Sequence, residues 1–219
     1  MAELRTEEEQ IEAIKSWWKE NGRSLLLAIA VAVAGVVGWQ AWQKRVEVQS
    51  TNASVTYQEL LQAVTALRDT PDDGAQSATA EHLAGVLQDE YSSTGYASLG
   101  AMLMARVAVD AGDLDKALTQ LDWARQNAED EELKQLATLR SARIKLAQGD
   151  AAAASSILAE ANADHFNAAY AELRGDVLVA QGQVAEARQA YEQALESASP
   201  QMRPVIQMKH DDLAGGERS

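Results

Sequence analysis

Gly112-Asp113-Leu114-Asp115-Lys116-Ala117 returns as Gly149-Asp150-Ala151-Ala152-Ala153-Ala154 and again as Gly182-Gln183-Val184-Ala185-Glu186-Ala187. The glycines stand 37 and 33 residues apart. The likeness extends outward from each turn. Five residues past the glycine come Ala117, Ala154 and Ala187; nine past come Leu121, Leu158 and Tyr191; twelve past come Ala124, Ala161 and Ala194. Seven before it come Ala105, Ala142 and Gly175. Small residues in register with one large residue let two helices cross closely, and glycine takes the tight turn between them. Each phrase therefore predicts one helical hairpin, and three hairpins in tandem predict a stack.

A period near 34 residues with this spacing is similar to that of tetratricopeptide (TPR) repeat arrays. Such stacks build extended concave surfaces, so the resemblance implies a protein that binds other proteins. Composition agrees with an all-α fold: alanine is abundant, there are three prolines and one phenylalanine, and cysteine is absent. Without cysteine there are no disulfides, zinc ribbons or thiol nucleophiles. The net charge is −14. Residues 1–45 carry six basic and six acidic groups, so the remaining 13 basic and 27 acidic groups put the whole excess on residues 46–219. An acidic body repels phosphate backbones, and nucleic acid is not an expected partner.

Leu25 to Trp39 holds no charged or strongly polar side chain, and with Gln40 and Ala41 the segment reaches Trp42. Eighteen residues make roughly 27 Å of helix, close to the ~30 Å hydrocarbon thickness of a bilayer. Trp17 and Trp18 precede the span, Trp39 and Trp42 close it, and the basic residues Lys19, Arg23, Lys44 and Arg45 bracket it. Aromatic and basic flanks of this kind mark a membrane-spanning helix. The acidic start, with Glu3, Glu7, Glu8, Glu9 and Glu12, does not suit a cleaved signal peptide. Arg5, Lys15, Lys19 and Arg23 precede the span while only Lys44 and Arg45 follow it closely, which orients the N-terminus to the cytoplasm. In a bacterium the body then lies in the periplasm. Ala30, Ala34 and Gly38 form a small-residue stripe, the candidate surface for packing against another helix in lipid.

The expected organisation is a cytoplasmic segment 1–23, a transmembrane helix 24–43, a helical linker 44–54, a TPR-like domain 55–214 and a tail 215–219. Within the domain, Tyr57, Leu60, Leu61, Val64 and Leu67 follow helical spacing. Thr70-Pro71-Asp72-Asp73-Gly74 breaks that helix, and Leu83, Val86 and Leu87 mark a second, completing a degenerate end repeat. The clear repeats span roughly 96–126, 130–164 and 166–198, with Asp130 and Asn167 as helix starts. Beyond Pro200, the residues Met202, Val205, Ile206, Met208 and Leu213 predict a capping helix. The fold class is thus all-α: one N-terminal transmembrane helix, then a TPR-like α-solenoid closed by a C-terminal helix.

No active site is legible. His82, His165 and His210 fall on three separate elements and none has a metal-ligand partner at i+3 or i+4. The stretch Gly95–Gly100 is one residue too long for a nucleophile elbow and begins a helix. There is no phosphate loop or dinucleotide fingerprint, so neither a cofactor nor a metal is expected, and no catalysis.

Binding is expected on the first helix of each hairpin. Ten, six and three residues before each glycine stand Met102, Arg106 and Val109, then Leu139, Arg143 and Leu146, then Glu172, Asp176 and Val179. Aliphatic residues with arginines at one end and acids at the other would hold a peptide through apolar contacts, with charge setting its direction.

The whole chain, beyond its repeats, resembles the ancillary SecYEG translocon subunits of bacterial inner membranes. The resemblance is carried by Trp17-Trp18-Lys19-Glu20-Asn21-Gly22, by the single anchor closing at Gly38-Trp39, and by Pro204-Val205-Ile206-Gln207-Met208-Lys209 with Asp211-Asp212-Leu213. It implies a single-pass inner-membrane protein associated with the SecYEG translocon. It further implies work beside the membrane-anchored periplasmic chaperone PpiD, helping translocating polypeptides into the chaperone network. An adaptor for another cell-envelope complex is the alternative that the repeats alone would allow.

Overall fold

The computed structural model describes residues 7–70, 73–161 and 164–216. Among them every regular element is helical. The order is α1 Glu7–Asp69, α2 Gly74–Glu90, α3 Gly95–Asp110, α4 Leu114–Asn127, α5 Glu131–Ala147, α6 Ala151–Glu160, α7 Asn167–Ala180, α8 Val184–Ser197 and α9 Arg203–Gly216. The chain divides into two compact units, one ending at Gln49 and one beginning at Ser50.

The first unit consists of the greater part of α1. It contains an 18-residue window of mean hydropathy 2.0, none of it buried against the protein. A soluble core helix would hide such a window; here Leu27, Val31 and Val33 are all exposed. The segment expected as a linker has no break, because α1 is one helix of 63 residues. Neither proline nor glycine interrupts it between Trp39 and Asp69. Residues 1–6 of the N-terminal segment lie outside the described residues.

The second unit begins with the last turns of α1. Leu60, Val64 and Leu67 join Ala80, Ala84 and Leu87 of α2 and Met104 of α3 in one core cluster, while Leu61 turns partly outward. Asp73 caps α2 by accepting hydrogen bonds from the amides of Ala75 and Gln76. Three hairpins follow, α3–α4, α5–α6 and α7–α8, each packed on the next, with α9 against α8.

The three glycine phrases share one turn geometry. Gly112, Gly149 and Gly182 have φ of 79, 82 and 77°, the left-handed region in which a Cβ is strained. The Gly112 amide donates to the Val109 carbonyl at 3.0 Å, and the Asp113 amide reaches back to Ala108 at 2.8 Å. The same pair of bonds recurs at Gly149–Asp150 and at Gly182–Gln183. This Schellman arrangement satisfies the carbonyls a helix end leaves open. One residue later the next helix is capped: Asp113 accepts from the Lys116 amide and Asp150 from the Ala153 amide. A single aspartate closes one helix and opens another. Gln183, at the third equivalent position, makes no side-chain cap.

Between the hairpins the core is alanine-rich, with one large residue per crossing. Leu121 is enclosed by Ala101, Ala105 and Ala137, and Leu158 shares its cluster with Ala142, Ala154 and Leu173. Asp130 caps α5 through the Glu132 amide. Asn167 is the first residue of α7, but the cap position is Phe166 and has no side-chain bond. The closing helix forms, with Ile206 fully buried beside Tyr191 and Ala194. Burying a side chain of that size contributes about 1.5–3 kcal/mol. Val205 and Met208 are exposed instead of covering the stack. At 100° per residue Ile206 and Leu213 are the apolar residues of α9 that share the inward face, and Val205 and Met208 fall away from it. Gly215 and Gly216 continue α9 into the expected tail, and residues 217–219 lie outside the described residues.

Candidate protein-binding groove

The first helices of successive hairpins are neighbours, α3 beside α5 and α5 beside α7. These helices carry the nine residues expected to bind, and the structure sorts these into three kinds.

Four converge on one pocket of about 260 Å³: Met102, Arg106 and Val109 from α3, with Arg143 from α5. Ala105, Leu121 and Ile144 complete its apolar floor, and Arg140 joins the rim. Met102, Ala105, Leu121 and Ile144 are buried, whereas Val109 keeps a third of its surface free. The three guanidiniums have little to neutralise them. Arg106 pairs with Asp110 one turn along its own helix, at 2.8 Å with both side chains about half exposed or more. Arg143 approaches Glu172 only to 3.8 Å. Arg140 has no carboxylate partner among the described residues. Desolvation at the groove wall, then the charges of Arg143 and Arg106, pull Arg140 below the usual guanidinium range.

Glu172 and Asp176 lie at the other end and are already engaged. Lys209 of α9 inserts its ammonium between them, 2.8 Å from Glu172 Oε1 and 2.7 Å from Asp176 Oδ2. The Tyr191 hydroxyl donates to Asp176 Oδ1 at 2.7 Å. The closing helix thus fills the acidic end of the groove with the protein's own lysine. The remaining residues do not converge with either set: Leu139 is buried in the core with Ala142 and Leu158, Leu146 packs at the margin of that cluster, and Val179 is exposed.

Two residues of this arrangement escaped sequence reasoning. Arg140 lies one turn before Arg143 on α5, so an i, i+3 search around each repeat arginine would have found it. Lys209 lies outside the repeats, and no periodicity could have assigned it to Glu172. The described residues hold no cluster of three or more metal-ligating side chains. Ser98 of the elbow-like stretch is fully buried inside α3. In the first unit, Ala30 and Ala34 are exposed, and a Cβ built on Gly38 would meet nothing within 4 Å.

Stacked helical hairpins of this kind define an α-solenoid of repeat type. The model of the tetratricopeptide repeat-like domain family matches residues 15–215. The chain is 32% identical over 97% of its length to a Haemophilus influenzae protein named ancillary SecYEG translocon subunit, all of which is covered. It is 29% identical over 95% of its length to the Escherichia coli protein of that name, of which 97% is covered. The chain belongs to this family of TPR-like ancillary SecYEG translocon subunits. No solved structure matches it significantly.

Proposed function

We propose that the protein is a membrane-anchored, non-enzymatic interaction scaffold accessory to the SecYEG translocon, which helps pass translocated polypeptides to periplasmic chaperones. The observation that carries the reading is the near-complete alignment, anchor and repeats together, with relatives named for that association. The unburied apolar window of α1 supports a single inner-membrane span. The four basic residues before it, against two close behind it, support a cytoplasmic N-terminal segment and a periplasmic TPR-like body. The pocket between α3 and α5 supports the binding role, since it offers an apolar floor and an excess of positive charge at its rim. The membrane-anchored chaperone PpiD is the partner to which clients would pass.

Gentle detergent extraction of the tagged full chain is expected to recover SecYEG, with PpiD in the same fraction. Recovery of neither would refute the scaffold reading. Photocrosslinkers at Val109 and Gly38 are expected to report a polypeptide and a membrane helix respectively. Protease added outside spheroplasts should digest the body and spare residues 1–23; the reverse pattern would invert the topology.

A further inference from the structure

The groove of this chain displays one occupied end and one vacant end, of opposite charge. At the acidic end the occupant is internal, Lys209 seated against Glu172 and Asp176. At the basic end Arg106, Arg140 and Arg143 rim an apolar floor; Arg106 has only Asp110 of its own helix, Arg143 only Glu172 at 3.8 Å, and Arg140 no carboxylate partner among the described residues. We propose that this basic pocket receives a polypeptide segment in which one aliphatic side chain is flanked by carboxylate side chains. The proposal rests on the scaffold reading above and supplies the chemistry of its ligand.

Charge complementarity selects the flanks. Arg106 meets only an exposed carboxylate on its own helix, Arg143 stands 3.8 Å from a glutamate already committed to Lys209, and Arg140 faces two like charges. Incoming carboxylates would relieve that repulsion and bond to the planar guanidinium forks, up to two bonds per pair. Size and polarity select the centre. The volume of about 260 Å³ over a floor including Met102 and Ile144 falls just below the ~300–1,000 Å³ of small-molecule sites, and suits a branched aliphatic side chain. Three guanidiniums exceed what one chain-terminal carboxylate can pair, so the segment is internal. A membrane surface or nucleic acid is disfavoured because 27 acidic groups against 13 basic ones on residues 46–219 repel an extended polyanion.

The test is fluorescence anisotropy with the full chain in neutral-lipid nanodiscs. The probes are fluorescein-labelled, C-terminally amidated peptides carrying Glu-Leu-Glu, Gln-Leu-Gln or Lys-Leu-Lys between Gly-Ser arms. The acidic peptide is expected to bind about tenfold or more tighter than its glutamine counterpart, and to weaken as salt rises. Arg140→Glu should abolish that preference and favour the lysine peptide, whereas Arg140→Lys should keep the preference with binding reduced a few-fold. Should Arg140→Glu lose its helical circular dichroism, Arg140→Gln replaces it, and must also lose the preference. Equal binding of the acidic and glutamine peptides overturns the proposal, as does a preference that survives loss of the Arg140 charge. A glutamine peptide with a free C-terminus that binds as tightly as the acidic one overturns it in favour of terminal-carboxylate capture. Dimers that dissociate on Arg140→Glu, read by mass photometry, overturn it in favour of a second copy of this chain. Co-purification of SecYEG with the wild-type chain is scored separately. Its absence sinks the scaffold reading, and its presence without an acidic preference sinks this inference alone.

Discussion

The ring of Tyr191 occupies the space that a side chain on Gly175 would need. A Cβ built on Gly175 would stand 2.5 Å from Tyr191 Cδ1 and 2.9 Å from Cζ, and the ring is tethered through its hydroxyl to Asp176. The equivalent pairs in the earlier hairpins are Ala105 with Leu121 and Ala142 with Leu158, each inside one core cluster. Volume has been exchanged across the crossing: the larger residue on α8 is matched by the smaller on α7.

Gly175→Ala is therefore expected to destabilise the protein, although alanine is the better helix former. Overpacking costs ~1–3 kcal/mol against a gain of about 1 kcal/mol in propensity. Adding Tyr191→Leu recreates the pairing of the first two hairpins and should recover part of the loss. Urea unfolding followed at 222 nm checks both variants; additive effects would refute the coupling.

The third hairpin turn lacks the cap that Asp113 and Asp150 provide. Gln183→Asp is expected to raise stability by about 0.5–1 kcal/mol, and Asp113→Ala to lower it by ~0.5–2 kcal/mol. Thermal melts of the two variants should move in opposite directions.

Alkaline pH should loosen the closing helix. Burial pushes the Lys209 ammonium down, but hydrogen bonds to Asp176 and Glu172 outweigh it and hold the group above its usual range. Burial, and then donation to Asp176, raise the Tyr191 hydroxyl as well. Both groups hold their protons more tightly folded than unfolded. Their contribution is complete below the unfolded values, about 10 for each, and is lost as pH rises through the folded ones. Stability from urea melts is expected to be level between about pH 7 and 9 and to fall above about 10. Lys209→Met together with Tyr191→Phe should flatten that fall.

Val33 lies within the apolar window of α1 and is exposed. Val33→Arg carries a cost of about 2.5–3.5 kcal/mol at the centre of a span, so the carbonate-resistant membrane fraction should drop. Val33→Leu should leave it unchanged.

The hairpins were legible because their signals are local and repeated. A glycine forced to positive φ followed by a capping aspartate can be read from six residues, and the small-large-small register names the crossing. The span was legible for the same reason, since lipid imposes length and flanks on a contiguous segment. The merging of anchor, linker and first repeat into one helix was half legible: no breaker interrupts 43–54, yet nothing in that stretch requires continuity. Template positions named Arg106 and Arg143, which line one pocket, but not Arg140 beside them, which is off the repeat register. They offered Leu139, whose neighbours in the core come from α6 and α7. They marked Glu172 and Asp176 with no hint of Lys209, because an ion pair across 33 or 37 residues leaves no local trace.

Asp113 and Asp150 each serve two helices at once, which leaves the joint between them without a spare torsion. A hinge needs slack, and here an inserted residue would break either the ending or the beginning. The first two hairpins must then each swing as a single rigid lever, so diversification of binding there should proceed by exchanging side chains on α3 and α5 and spare those elbows.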